Sequence, residues 1–281
     1  MLHDIHYKVV KYWSNPEEVF NSVDIKGGVA ITMWNEYENY GEIGFFIKQL
    51  EIRGIKEKVD AVAKNTSGSF ADLVYPRDLY KLTDVLYAEN EWANDRPSKG
   101  HKHDLGTNAF DLFPELFVDD CGNSDDYALI IGRSNNTRIA KYIKKSYVKL
   151  PDNFDYWKVF VAKANGSGKM GEELANPFVA GPGSGSTTTF LSVGKFESEA
   201  EANACLSYIK TRFARLMLGI LKVTQDNTRD AWAFVPLQDF SKNTPIDWTK
   251  SVGEIDEQLF AYYGLTEAEQ TFIKSTIKEM Q

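Results

Sequence analysis

The stretch Lys163-Ala164-Asn165-Gly166-Ser167-Gly168-Lys169 holds the residue types that grip a polyanion. Glycines let backbone N–H groups come close to a phosphate, two lysines supply charge, and an asparagine amide can clamp or read a base edge. The same pattern also suits a hairpin turn with ordinary surface lysines. Its surroundings matter here: from Arg133 to Lys169 nine basic residues face only Asp152 and Asp155, although the whole chain carries a net charge of -8. A second basic set, Lys210, Arg212, Arg215, Lys222 and Arg229, is opposed only by Asp226. Acid collects elsewhere, with six acids between Asp111 and Asp126. A polyanion would therefore meet the middle of the chain. The candidate contacts are Lys163, Asn165, Ser167 and Lys169, flanked by Arg138, Lys141, Arg212 and Arg215. In the competing reading Arg212 and Arg215 snorkel from a core helix and the lysines are only solvated.

Catalytic chemistry leaves fewer traces. A base-flipping adenine methyltransferase needs a glycine turn after its first strand for the methyl donor, and an Asn/Asp-Pro-Pro-aromatic loop for the flipped amino group. Asn176-Pro177-Phe178 has one proline too few. Gly181-Pro182-Gly183-Ser184-Gly185 lacks the lysine of a phosphate-binding loop and the spacing of a dinucleotide turn, and is expected to be a hairpin loop. Pro151-Asp152 with Asp155-Tyr156-Trp157-Lys158 misses the nuclease spacing by one residue. His101-Lys102-His103-Asp104 offers ligand types for a metal without a Cys-x-x-Cys pair to support zinc, so a solvated loop is expected there. No Ser/His/Asp set is visible. The expectation is a chain with no catalytic, cofactor or metal site of its own.

The elements that must position the candidate residues follow from periodicity. Chain length allows one large domain or two smaller ones, and 43% apolar residues argue against disorder. No apolar run is long enough to span a bilayer and no signal peptide follows Met1, while Cys121 and Cys205 lie far apart; a cytoplasmic protein with reduced thiols is expected. Residues 6–13 read as a strand and 15–18 as a capped helical turn. Residues 29–34 read as a strand apolar enough to be buried on both faces, with 42–50 as its pairing partner. Ile52, Ile55, Val59 and Val62 predict an amphipathic linking helix over 51–64. Beyond it, 127–132, 138–144, 157–162 and 187–193 read as strands, and 76–106 has only helix-turn character. One helix is expected over 197–223 and two short ones over 252–263 and 266–280. Thr266 and Glu269 have capping-box spacing, and Gly264 suits the preceding stop.

Several motifs occur in a fixed order: Ile25-Lys26-Gly27-Gly28-Val29, Trp157-Lys158-Val159-Phe160-Val161, Lys163 to Gly168, Tyr208-Ile209-Lys210-Thr211-Arg212-Phe213-Ala214-Arg215, Val235-Pro236-Leu237-Gln238-Asp239-Phe240, Ile246-Asp247-Trp248, Glu254 to Leu259, and Tyr263-Gly264-Leu265. The series resembles the C-terminal half of adenine-specific DNA methyltransferases of bacterial type II restriction–modification systems, including those with a restriction endonuclease on the same chain. The resemblance implies an α+β fold: residues 1–50 as the last β-hairpin of a truncated Rossmann-like methyltransferase core, 51–64 as a linking helix, 65–240 as a mixed α/β target recognition domain, and 241–281 as a C-terminal helical extension. It implies binding to double-stranded DNA, a catalytic methyltransferase half as partner, and S-adenosylmethionine as cofactor of the parent enzyme, not of this chain. The chain departs from the family by lacking the donor glycines and the Asn-Pro-Pro-aromatic loop, and in the idiosyncratic His101 to Gly106. The alternative, favoured by the acidic balance, is a non-enzymatic protein-interaction module that has lost contact with DNA.

Overall fold

The β-branched and aromatic residues of Tyr7–Trp13 (β1) and Val29–Trp34 (β2) form an antiparallel ribbon, with Tyr7 opposite Trp34 and Trp13 opposite Val29. The computed structural model describes residues 1–13, 16–20, 29–47, 49–63, 68–122, 124–166, 168–222, 224–242 and 244–280. The chain divides into two compact units, Met1–Glu57 and Lys58–Gln281. The helix Leu50–Ala63 (α1), anticipated by its apolar spacing, runs through that boundary. Segments 65–240 and 241–281, expected to be separate pieces, fall within the second unit.

Unit 1 corrects one expectation. β2 is exposed from Ala30 to Trp34, with Ile31 at 51% and Trp34 at 55%, instead of buried on both faces. Segment 42–47 forms no strand; β1 takes the pairing place expected for it. The segment 21–28, with Lys26-Gly27-Gly28, lies outside the described residues.

Unit 2 is a mixed α+β assembly of small sheets and helices. Its strands are Lys81–Leu82 (β3), Tyr127–Ser134 (β4), Thr137–Lys144 (β5), Val148–Lys149 (β6), Trp157–Ala162 (β7), Phe178–Ala180 (β8), Ser184–Ser186 (β9) and Phe190–Phe196 (β10). They form three sheets, in the orders β5-β4-β9, β10-β7-β8 and β3-β6. The short helices Asp84–Glu89 (α2) and Ala109–Leu112 (α3) come before β4. Glu199–Lys210 (α4), Arg212–Leu221 (α5), Val252–Tyr262 (α6) and Glu267–Thr276 (α7) follow β10. No helix of the described residues is long and apolar enough to cross a membrane. One core gathers Leu86, Phe110, Phe113, Ile130, Ile143 and Phe154; a second packs Phe160 against Phe178 and Phe190.

The long helix expected over 197–223 is two helices. Thr211 leaves the helical region with ψ 151°, its hydroxyl donates to Tyr208 O, and the same oxygen accepts the Ala214 N–H at 3.0 Å. A threonine that can end one helix and cap the next breaks an apolar stripe that periodicity alone reads as continuous. Thr266 and Glu269 make the capping box their spacing implied, and Gly264 sits at φ +63° after α6. The glycine-rich 181–185 leads from β8 into β9, which lies in the other sheet, and is not a hairpin.

Lys158 ties those two sheets. Fully buried in β7, it donates to Phe154 O at 2.7 Å and to Ser184 O of β9 at 3.0 Å. Burial brings its pKa down to about 8, against the weaker pull of Asp155. The unfolded chain therefore holds this proton up to the ordinary lysine range while the folded chain releases it near pH 8, so stability rises with pH between those values. Between pH 7 and 9.5 the native protein should gain about 2 kcal/mol relative to Lys158→Met, read by urea unfolding of both proteins at each pH. Parallel pH curves would show that Lys158 keeps its proton.

Candidate nucleic-acid interface

Residues 163–177 connect β7 to β8, and several of their polar groups are used within the protein. The Asn165 N–H donates to Gln225 O at 2.7 Å and its amide Nδ2 donates to Glu173 O at 2.6 Å, leaving the residue 7% exposed. The Asn165 carbonyl accepts from Lys222 Nζ at 2.9 Å, and that buried ammonium also meets Glu172 Oε2 at 3.3 Å and Thr224 O at 3.0 Å. Gly166 has φ +62°, and a Cβ there would collide with the Glu172 carboxylate. Beside this loop Arg215, 1% exposed, donates to Lys210 O at 3.1 Å, to Gly171 O at 2.9 Å and to Lys278 O. A guanidinium spreads its donors in a planar fork, which suits three carbonyls from three segments.

The expected constellation is therefore only partly brought together. Asn165, Lys169 and Arg215 line one cavity of about 10 Å³, too small for anything but water. Two assignments are corrected: Asn165 and Arg215 are buried and hold backbone, because a carbonyl left alone in the interior costs more than a solvated cation returns. Arg212 donates to Ile277 O at 3.1 Å and pairs with Glu279 at 2.9 Å, so it anchors the C-terminal segment. Lys141 pairs with Asp119 at 2.9 Å. Ser167 lies outside the described residues. Lys163 is half-buried and Lys169 exposed, and neither has a carboxylate within ion-pair distance among the described residues. Arg138, exposed on β5, donates to Asn176 O at 2.7 Å with its guanidinium 3.9 Å from the Phe178 ring centre.

Arg138 leads to a feature that the sequence reading missed. It stands directly opposite Arg133 across the β4–β5 pair, and no carboxylate meets either guanidinium among the described residues. Seven other basic side chains, Lys81, Arg96, Lys144, Lys195, Arg229, Lys250 and Lys274, do have acidic partners. Like charges opposed across strands repel, so this pair costs stability that an anion between or beside them would recover. The ribbon closes at Asn135 and Asn136, with φ 48° and 61°, as a type I′ turn requires. Arg133 Nη2 donates back to Asn136 O at 3.1 Å. With Asn108, Asp111 and Ser134 these tip residues line an open groove of about 290 Å³. Asn-Asn between two alternating strands was the available signal in the sequence.

His101 and Asp104 are 2.7 Å apart, but no group of three His, Cys, Asp or Glu side chains suited to a metal occurs among the described residues. Comparison with protein-family models, with curated proteins and with solved structures finds no match to this chain.

If Arg215 is a structural strut, Arg215→Lys should lower stability by about 2–3 kcal/mol, because a lysine cannot reach three carbonyls at once. Urea unfolding gives the loss, and hydrogen exchange should show it concentrated in residues 168–174. An unchanged midpoint would return Arg215 to the list of ligand contacts.

Proposed function

We propose that this chain binds duplex DNA as the target recognition part of an adenine-N6 DNA methyltransferase of a restriction–modification system. The observation that carries the DNA reading is the Arg133–Arg138 pair: two opposed guanidiniums with no acidic partner among the described residues, at the exposed hairpin end of the β5-β4-β9 sheet. Arginine is the residue that meets phosphate and guanine with two hydrogen bonds in one plane. Lys163 and Lys169 add unpaired charge in the same unit. The ordered motifs from Trp157 to Leu265 supply the methyltransferase context.

In this reading the catalytic Rossmann-like half is a partner, not a part, of what unit 2 does. It holds S-adenosylmethionine and the flipped adenine, and this chain alone transfers no methyl group. A parent that also cleaves DNA fits equally. The β1–β2 ribbon, apolar yet exposed from Ala30 to Trp34, supports a place for unit 1 against that half, since such strands normally extend a covered sheet. The same exposed ribbon is what favours the second reading, a protein-interaction module without DNA contact.

Salt separates the two. Binding of the chain to mixed-sequence duplex should weaken steeply as salt rises, with each phosphate contact adding about -0.9 to the slope of log K against log salt. Arg133→Gln and Arg138→Gln should each reduce that slope by about one contact, while Arg212→Gln should leave it alone. A flat salt response, or no binding at low ionic strength, would support the interaction module instead.

A further inference from the structure

The groove at the ribbon tip is not built for phosphate alone. Arg133 lines it together with Asp111, and a carboxylate beside a phosphate is repulsive. Ser134 Oγ donates to Asp111 Oδ1 at 2.9 Å, which fixes the carboxylate and leaves Oδ2 with no hydrogen bond or ion pair among the described residues. Arg133 and Asp111 share the groove without pairing to each other, since Arg133 is turned toward Asn136 O. The groove thus has a strong donor, Arg133, and a strong acceptor, Asp111, in its lining, farther apart than an ion pair. A base pair seen from the major groove presents the complement. Guanine offers the acceptors O6 and N7, and its cytosine offers the N4 amino donor. An A·T pair offers acceptor, donor and acceptor with a methyl group, and its single N7 cannot take an arginine fork.

The width of the element agrees. Beyond Ile131, where β9 stops pairing, the β4–β5 hairpin is two strands wide, which fits the major groove of undistorted B-form DNA, whereas the minor groove, about half as wide, takes such a ribbon only when widened. The turn residues Asn135 and Asn136 stand at the leading end, and Arg138 on the flank is held over Phe178 at 3.9 Å, with N–H groups beyond the one given to Asn176 O that meet no acceptor among the described residues. We infer that the β4–β5 ribbon reads one G·C pair in the major groove, Arg133 donating to guanine O6 and N7 and Asp111 accepting from the cytosine amino group. This inference rests on the duplex-DNA reading above and adds to it which pair is read, from which groove, and by which two side chains.

The test is selection of the 281-residue chain on a random-sequence duplex pool at low ionic strength, followed by affinities for the selected duplex with each pair replaced in turn. The expected result is one retained G·C pair whose change to A·T lowers affinity about 5- to 100-fold. Asp111→Asn and Arg133→Gln, checked by thermal melting for intact folding, should flatten the preference at that pair and leave preferences elsewhere in place. Replacing its guanine with 7-deazaguanine should weaken the native chain but not Arg133→Gln. An enriched site whose preferences neither variant changes would overturn the assignment while leaving DNA recognition standing. Binding without any enriched G·C pair would overturn it as well. No binding to duplex at any ionic strength would remove the DNA reading itself, and this inference with it.

Discussion

Helix α5 is buried on nearly every side, and much of unit 2 is arranged around that constraint. Phe213, Ala214, Arg215, Leu216, Met217 and Leu218 are all inaccessible or nearly so. The first N–H groups of a helix have no partner within it, and here they lie largely inside the protein. Asp256, from α6, accepts the Arg212 and Phe213 N–H groups at 2.9 Å each, while Thr211 takes that of Ala214. Burial pushes the Asp256 carboxyl up to about 6, opposed by those two N–H groups and by Arg212 and Arg215. From the same helix and its end, Arg215 and Lys222 reach carbonyls of the β7–β8 loop, and Arg215 also reaches Lys278. One buried helix thereby fixes α6, the loop at 165–173 and the C-terminal segment.

That arrangement decides which cations can meet a ligand. A side chain that satisfies interior carbonyls cannot be withdrawn to bind DNA without orphaning them, and each orphan costs about 1–3 kcal/mol. Arg215 and Lys222 are thus committed, and Arg212 is largely so through Ile277 O and Glu279. The opposite holds at the ribbon tip. Arg133 and Arg138 repel across the pair and gain from any anion that arrives, so the energy that internal residues spend on folding is there available for binding.

The sequence made some of this readable and hid the rest for identifiable reasons. The spacing of Ile52, Ile55 and Val59 located α1, and Thr266 with Glu269 located the start of α7, because both signals act within a few residues. The break at Thr211 was missed since an apolar stripe continues through it and a threonine cap has no fixed signature at a helix–helix corner. The Lys163–Lys169 loop looked like a ligand site because Gly, Asn and Lys are also what a tightly folded loop needs. Its true partners, Gln225 and Lys222, lie some sixty residues away in the chain and no local pattern reports them. β2 was legible as a strand but not as an exposed one, because composition records that a strand will be covered without saying by what.

A net charge of -8 still has to be reconciled with a polyanionic partner. The average is misleading at the distances that matter. Screening in physiological salt extends over about 8 Å, so a phosphate at the ribbon tip responds to the groups beside it and hardly to the acids of a distant helix. Many of those acids are also neutralised in place: Glu115 is held down to about 2 by Arg96, and Asp119, Glu269 and Glu257 face Lys141, Lys58 and Lys274. The tip itself carries two guanidiniums with no acidic partner among the described residues, and beside it one carboxylate, Asp111, tied to Ser134. A carboxylate in that position lowers affinity for any phosphate by the same amount whatever the sequence. It improves only the complexes in which a base amino group reaches it. The acid in this groove therefore trades general attraction for discrimination, which is the exchange a recognition surface requires and a purely electrostatic clamp does not.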